Sequence, residues 1–256
     1  MAMETTAEEQ KQSGQTTTVY AKADYSQVAC LDPLTSVMVK QPIRTGELLC
    51  EMFCGCEMQN FYEILSVDPQ AKTTTPLFTL MEDSNCCLRQ CCGAQRPLVL
   101  NAKFPDRQED EASVFEIVKP YRMGCICCPA TNCMGRNYME VVIGGVMIGS
   151  IREQCLCNCK VKYGVFDEAD NELCSLERCA CYCECMDVSF EILTPQGEET
   201  GKKVTKVFGG MMKEMFTTND QFSVEFPDFM NTLQRKLLMI GAAMMIEFRH
   251  FEQKKK

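Results

Sequence analysis

Residues 237–246 read LLMIGAAMMI, ten consecutive positions with no polar side chain. A helix of that composition is apolar on every face and has to be buried, in protein or in lipid. The flanking NTLQRK and EFRHF extend it to a helix over about 232–251, with Asn231 or Thr232 as N-cap. As a helix the apolar run is ~15 Å long, against a hydrocarbon core of ~30 Å. Continuing to Phe251 would place Glu247 and Arg249 in the bilayer, at ~2.5–3.5 kcal/mol each. Burial inside a domain is therefore favoured over a single span.

Upstream, the chain is written in short strand-like runs broken by turn signals. The clearest is MEVVIGGVMIGSI (139–151), where two β-branched runs meet at Gly144 and Gly145, the pair that a type I′ turn requires. Leu98 to Phe104, Val114 to Val118, Lys160 to Phe166, Asp187 to Leu193, Lys202 to Phe208 and Phe222 to Phe226 continue the series. Turn clusters such as TPQGEETG (194–201) lie between them. Many short strands at close spacing point to an antiparallel barrel or sandwich. Residues 1–29 are polar and lack hydrophobic periodicity, which predicts a disordered arm before a domain over 30–252. The basic tail, 253–256, either touches anionic headgroups at ~1 kcal/mol per lysine or stays in water.

The 256 residues carry a net charge of −9, which argues against nucleic acid as a partner, since no excess of basic charge is at hand to displace phosphate counterions. The N-terminus, MAMETTAEEQ, has neither the basic and apolar regions of a secretory signal nor Gly at position 2 for myristoylation. A reducing cytosolic setting is expected, in which the 20 cysteines are thiols rather than disulfide partners.

Most of the cysteines fall in five clusters: Cys50, Cys54 and Cys56; Cys86, Cys87, Cys91 and Cys92; Cys125, Cys127, Cys128 and Cys133; Cys155, Cys157 and Cys159; and Cys179, Cys181, Cys183 and Cys185. Structural zinc wants CxxC knuckles, and only Cys125 to Cys128 has that spacing. The C-x-C-x-C runs put successive thiols on one side of an extended strand, a face rather than a knuckle. A cysteine acting as a small buried hydrophobe suits scattered residues such as Cys30 and Cys174, and suits adjacent pairs poorly. The loop GCICCPATNC (124–133), punctuated by Gly and Pro, suits thioester attachment of palmitate, so Cys125, Cys127, Cys128 and Cys133 are the candidate acyl sites.

The segment NCCLRQCCGAQRPL (85–98), with Arg89, Gly93, Arg96 and Pro97 among the paired cysteines, resembles a signature of the phospholipid scramblase family. The likeness continues in order through the Cys/Pro loop, DVSFEI (187–192), GKKVTKVFGG (201–210), KEMFTTNDQFSVEFP (213–227) and LLMIGAAMMIEFRHFE (237–252). The resemblance implies a mostly β fold, a tubby-like closed antiparallel β-barrel of about 12 strands around a buried hydrophobic C-terminal helix. It also implies a palmitoylated lipoprotein on the cytoplasmic face of the plasma membrane. Such a protein moves membrane phospholipids in both directions without ATP, with calcium dependence, and makes or breaks no bond.

Three departures qualify what the resemblance implies. Better-known members carry a proline-rich arm, whereas the first proline here is Pro33, so SH3 or WW partners are not expected. Ala130 and Thr131 stand where the family loop has two more cysteines, which implies fewer acyl chains. The family's EF-hand-like loop maps onto residues 218–229, where a calcium loop wants oxygen ligands at its first, third, fifth and twelfth positions. Those positions hold Thr218, Asp220, Phe222 and Phe229, with Asp228 one place early, so any Ca2+ affinity is expected to be weak. A strand with Phe222, Val224 and Phe226 facing inward is the competing reading of the same residues.

A barrel with one short apolar helix offers no polar path for a headgroup, so a scramblase of this kind is expected to work as a homo-oligomer or by locally thinning the bilayer. A membrane-tethered lipid-binding or signalling adaptor is the alternative function, and a zinc-stabilised regulatory protein is a second.

Overall fold

The structure, a computed structural model, describes residues 23–42, 58–68, 73–107, 111–121, 136–154, 160–181, 186–208 and 221–252. Twelve strands make up the wall: β1 (Ser36–Lys40), β2 (Phe61–Asp68), β3 (Thr73–Asp83), β4 (Leu98–Lys103), β5 (Phe115–Lys119), β6 (Tyr138–Ile143), β7 (Val146–Glu153), β8 (Lys160–Asp167), β9 (Glu172–Cys179), β10 (Val188–Leu193), β11 (Glu199–Val207) and β12 (Gln221–Glu225). Each pairs antiparallel with its neighbour in sequence, and β12 returns to β1 with Ser36 opposite Glu225 and Lys40 opposite Gln221, closing the barrel. Closure leaves no unpaired edge. With β1 taken to run upward, the connections β1–β2, β3–β4, β5–β6, β7–β8, β9–β10 and β11–β12 all lie at the upper end, and the others at the lower end.

Alternation builds the wall. In β1, β4, β5, β6 and β12 every second residue is buried, which sends one face of each strand inward. The hairpin expected at Gly144 and Gly145 is present, with φ of +56° and +79° there, the left-handed values that a type I′ turn needs.

The interior is filled by α2 (Leu233–Ile246), which continues as a π-helical stretch over Glu247–Phe251. Thr232 is its N-cap, the hydroxyl accepting from the Arg235 amide. The run Leu237–Ile246 is buried on all sides, as an all-apolar helix requires. The helix rises from the lower end, where Gln234 donates to the Ile148 carbonyl, to the upper end, where Arg249 pairs with Glu153. Its lower end is covered by a 3-10 helix, Ser26–Leu31, whose Val28 and Leu31 are buried. Lys236 donates to the carbonyls of Leu31 and Asp32 at 3.0 and 2.6 Å, a cation at the C-terminus of that helix. The polar arm expected over 1–29 therefore gives way to packed structure before residue 29. Cys30, expected as a small buried hydrophobe, is exposed on this helix, whereas Cys174 is buried as expected.

Two glycines let helix and wall approach. A Cβ on Gly241 would lie 2.8 Å from Ile151 Cδ1 and 2.9 Å from Val141 Cγ2. A Cβ on Gly149 would lie 2.3 Å from the Phe166 carbonyl oxygen and 2.9 Å from both Leu238 methyls. Replacing a mid-helix glycine usually stabilises a helix. Here the wall reverses the sign: Gly241→Val is expected to lower stability by about 1–3 kcal/mol through overpacking, read as a lower urea midpoint with unchanged m-value.

Candidate functional site

The upper end of the barrel holds a buried cluster of charged side chains and, beside it, a group of exposed thiols. Its buried centre is Arg96, fully enclosed just before β4. Arg96 Nε and Nη2 donate to Glu82 Oε1 and Oε2 at 2.7 and 2.8 Å, a two-pronged pairing, and Nη2 also donates to Glu252 Oε1. Asn60 Nδ2 donates to Glu82 Oε2 at 2.7 Å and to Glu252 Oε1 at 2.9 Å. Lys119 Nζ donates to the Arg96 carbonyl at 3.1 Å. Glu82 is the last but one residue of β3, Glu252 follows the π-helical stretch and Lys119 ends β5, so one guanidinium ties the wall to the top of the central helix.

The low dielectric of this cluster sets its protonation. Burial works to raise the Glu82 carboxyl, but the hydrogen bonds and charge of Arg96, with Ser84 and Asn60, outweigh it and hold Glu82 below the ordinary range. Burial dominates at Glu252 and lifts its carboxyl above the ordinary range despite Arg96. Burial would lower Arg96, yet both carboxylates keep it above its usual value and charged. Lys119 is pushed down to about 8, chiefly by burial.

Beside this cluster stands α1 (Cys86–Cys92). Asn85 caps it, its Oδ1 accepting from the Cys87 amide at 2.9 Å. Arg89 is buried beneath, with Nη1 donating to Ser84 Oγ at 3.0 Å, and Ser84 Oγ donates in turn to Glu82. The thiols of Cys86, Cys87 and Cys91 are exposed and that of Cys92 half-buried. Cys179 and Cys181, at the top of β9, are also exposed. Cys174 faces the core with its sulfur 3.8 Å from Met239 Sδ, and burial pushes its thiol up to about 12, an inert packing group. On the same side of the helix His250 Nε2 lies 2.7 Å from the Tyr163 hydroxyl and Nδ1 lies 3.4 Å from Arg178 Nη2.

The candidate acyl sites Cys125, Cys127, Cys128 and Cys133 lie outside the described residues, in the segment joining β5 to β6. Thr218 and Asp220 also lie outside them. Phe222, Val224 and Phe226 are buried, in and just beyond β12. Asp228 is exposed at the lower end of β12, whose five residues extend over about 16 Å. No group of three or more His, Cys, Asp or Glu that would hold a metal occurs among the described residues. No described helix is long and apolar enough to cross a membrane. The Glu82–Arg96–Glu252 cluster was not read from the sequence. Arg96 and Glu252 stand in motifs that mark the family likeness, but nothing local says that residues 82, 96 and 252 meet.

The sequence profile of the family described as Scramblase matches residues 15–253. Human phospholipid scramblase 1 is 30% identical over 223 residues, covering 87% of this chain and 64% of that protein. Human phospholipid scramblase 2 is 27% identical over 224 residues, covering 87% and 69%. Human phospholipid scramblase family member 5 is 24% identical over 223 residues, covering 87% and 76%. No solved structure matches.

Two outcomes test the buried cluster. Arg96→Met leaves two buried carboxylates uncompensated and is expected to lower stability by about 3–5 kcal/mol in urea denaturation. A base held below its unfolded value disfavours the folded state wherever it is charged. Stability should therefore rise as pH goes from about 8 towards the ordinary 10.5 of Lys119, and Lys119→Met should flatten that rise.

Proposed function

The chain belongs to the scramblase family, and from that premise we propose that it moves phospholipids between bilayer leaflets, in both directions and without ATP. The chain spans 64% of the length of human phospholipid scramblase 1, so the activity of that whole protein is carried over as a proposal. The observation that carries it is the family likeness running through the entire barrel and the helix inside it. Moving a lipid breaks no bond, and no side chain is assigned a catalytic role.

A headgroup needs a polar route across an apolar barrier. The interior of this barrel is closed to it, because α2 is buried among the inward faces of the strands. The route therefore runs outside the barrel, between copies of the chain or through bilayer that the attached protein thins. The protein sits on the cytoplasmic face of the plasma membrane, held by palmitate on Cys125, Cys127, Cys128 and Cys133. That assignment is supported by their thiol-rich, Pro-punctuated segment and by the need for more than one acyl chain for firm anchoring. Calcium activation rests on the family resemblance alone. The strand between Gln221 and Glu225 speaks against one loop holding an ion with Thr218, Asp220 and Asp228 together.

The burial of the apolar run Leu237–Ile246 inside the barrel favours a second reading, a membrane-tethered lipid-binding adaptor. One assay separates the two: purified, palmitoylated protein in vesicles holding fluorescent phospholipid, quenched by dithionite with and without millimolar calcium. Scrambling predicts signal loss beyond the outer-leaflet half in vesicles that do not leak, and calcium activation predicts a faster loss with the ion. Quenching that stops at half in both conditions would sink the scramblase reading and leave the adaptor.

A further inference from the structure

Two carboxylates share the guanidinium of Arg96, and they are served unequally. Glu82 accepts on both oxygens: Oε1 from Arg96 Nε and Ser84 Oγ, and Oε2 from Arg96 Nη2, the Asn60 amide and Asn60 Nδ2. Glu252 accepts on Oε1 alone, from Arg96 Nη2 and Asn60 Nδ2. Its Oε2 is buried, and no donor among the described residues reaches it.

An ionised carboxyl in that position keeps a charge on an oxygen that nothing solvates, a cost the two bonds on Oε1 leave standing. A neutral carboxyl avoids it. Oε1 then serves as the carbonyl oxygen, keeping both of its bonds, and the bare Oε2 carries the proton. The turn that Glu252 ends is π-helical over Glu247–Phe251, a rare winding that recurs at functional sites. We propose that Glu252 is a proton-operated latch on the end of the central helix. With its carboxyl protonated the turn is docked against β3 and the segment before β4, and loss of the proton to solvent shifts the turn towards an open state. Opening uncovers Phe248 and Phe251, whose rings meet those of Tyr62 and Phe222 edge-on. The latch goes beyond the lipid-moving reading and does not depend on it.

The charged neighbours of Glu252 are settled over the pH range concerned. Glu82, from β3, is held below the ordinary carboxylate range and stays ionised. Arg96 stays charged, and Lys119, from β5, is charged below about 8. On the helix itself Arg249 is paired with Glu153 of β7, and Glu247, which opens the turn, is buried. Asn60, before β2, does not titrate. Burial lifts Glu252 above its ordinary 4.5 against the opposing charge of Arg96, in agreement with the bare oxygen. Stability from the proton is therefore complete below pH 4.5 and is lost as pH rises through the raised folded value.

Full-length Glu252→Gln and Glu82→Gln proteins are compared with the parent by urea denaturation and by hydrogen exchange read by mass spectrometry, between about pH 4.5 and 7.5. Glu252→Gln fixes the neutral form. It is expected to match the parent near the acidic limit and to shift the urea midpoint upward at the neutral one. Exchange over residues 247–252, faster in the parent than over 237–246, should slow in Glu252→Gln at neutral pH and not at acidic pH. Glu82→Gln removes the fully bonded charge and should shift the midpoint downward at neutral pH. A downward shift or failure to fold for Glu252→Gln, or a shift that ignores pH, makes Glu252 an ordinary partner of Arg96 and overturns the proposal. An upward shift for Glu82→Gln overturns the asymmetry on which it stands. Exchange over 247–252 that is no faster than over 237–246, or that Glu252→Gln leaves unchanged at neutral pH, removes the latch.

Discussion

A barrel of twelve strands encloses more space than the side chains of its own wall can fill, and the rest of this structure depends on how that space is occupied. The occupant is a helix with no polar face between Leu237 and Ile246, which no solvent-exposed position would tolerate. Each element answers the other's need: the wall supplies a surface on every side of the helix, and the helix removes the void. Contact is close enough that Gly241 lies against Val141 and Ile151, and Leu238 lies against Gly149. The 3-10 helix Ser26–Leu31 covers one end of this arrangement, held by Lys236.

The other end is held by charge. Burying Glu82, Arg96 and Glu252 opposes folding through desolvation, and hydrophobic residues of similar size would hold the site with less strain on solvation. What the ions provide is position. Arg96 reaches both carboxylates at once, so the top of α2 has one register relative to β3 and β4. Through Ser84 and Arg89 the same network fixes α1 and its exposed thiols. The exposed thiols of Cys86, Cys87 and Cys91 are thus mounted on a corner of the barrel that this network joins to the central helix.

This architecture changes where a lipid-moving activity has to be sought. A hydrophobic segment at the end of the chain invites a membrane anchor, but here it is spent on the core. The middle of the barrel is filled by that helix and the inward side chains of the wall, so it is not a pore.

Much of the wall was legible because alternation is local. The Gly144–Gly145 hairpin and strands β4, β5, β8, β10 and β12 follow directly from two-residue periodicity between turn signals. Four strands were missed for physical reasons. β3 opens on an exposed run of threonines and contains Pro76. β9, ELCSLERC, carries Glu177 outward to meet Lys160 and Lys162 of β8, a pairing invisible in a single strand. β1 and β2 are separated by residues 41–60, whose Pro42, Gly46 and Gly55 mark turns without saying which strands they join. α1 is seven residues long, too short for periodicity, and only the Asn85 cap and Gly93 mark its ends.

By itself, the sequence determined that this chain is rich in strands, that its last helix has to be buried, that its cysteines fall in clusters, and that it resembles the scramblases. Only the tertiary structure decided that the helix is buried inside the barrel and that Arg96 joins residues 14 and 156 positions away. Periodicity and composition act over a few residues and can be read along the chain. Barrel closure and the meeting of buried charges are set by which strands become neighbours, and that is a property of the whole chain in space.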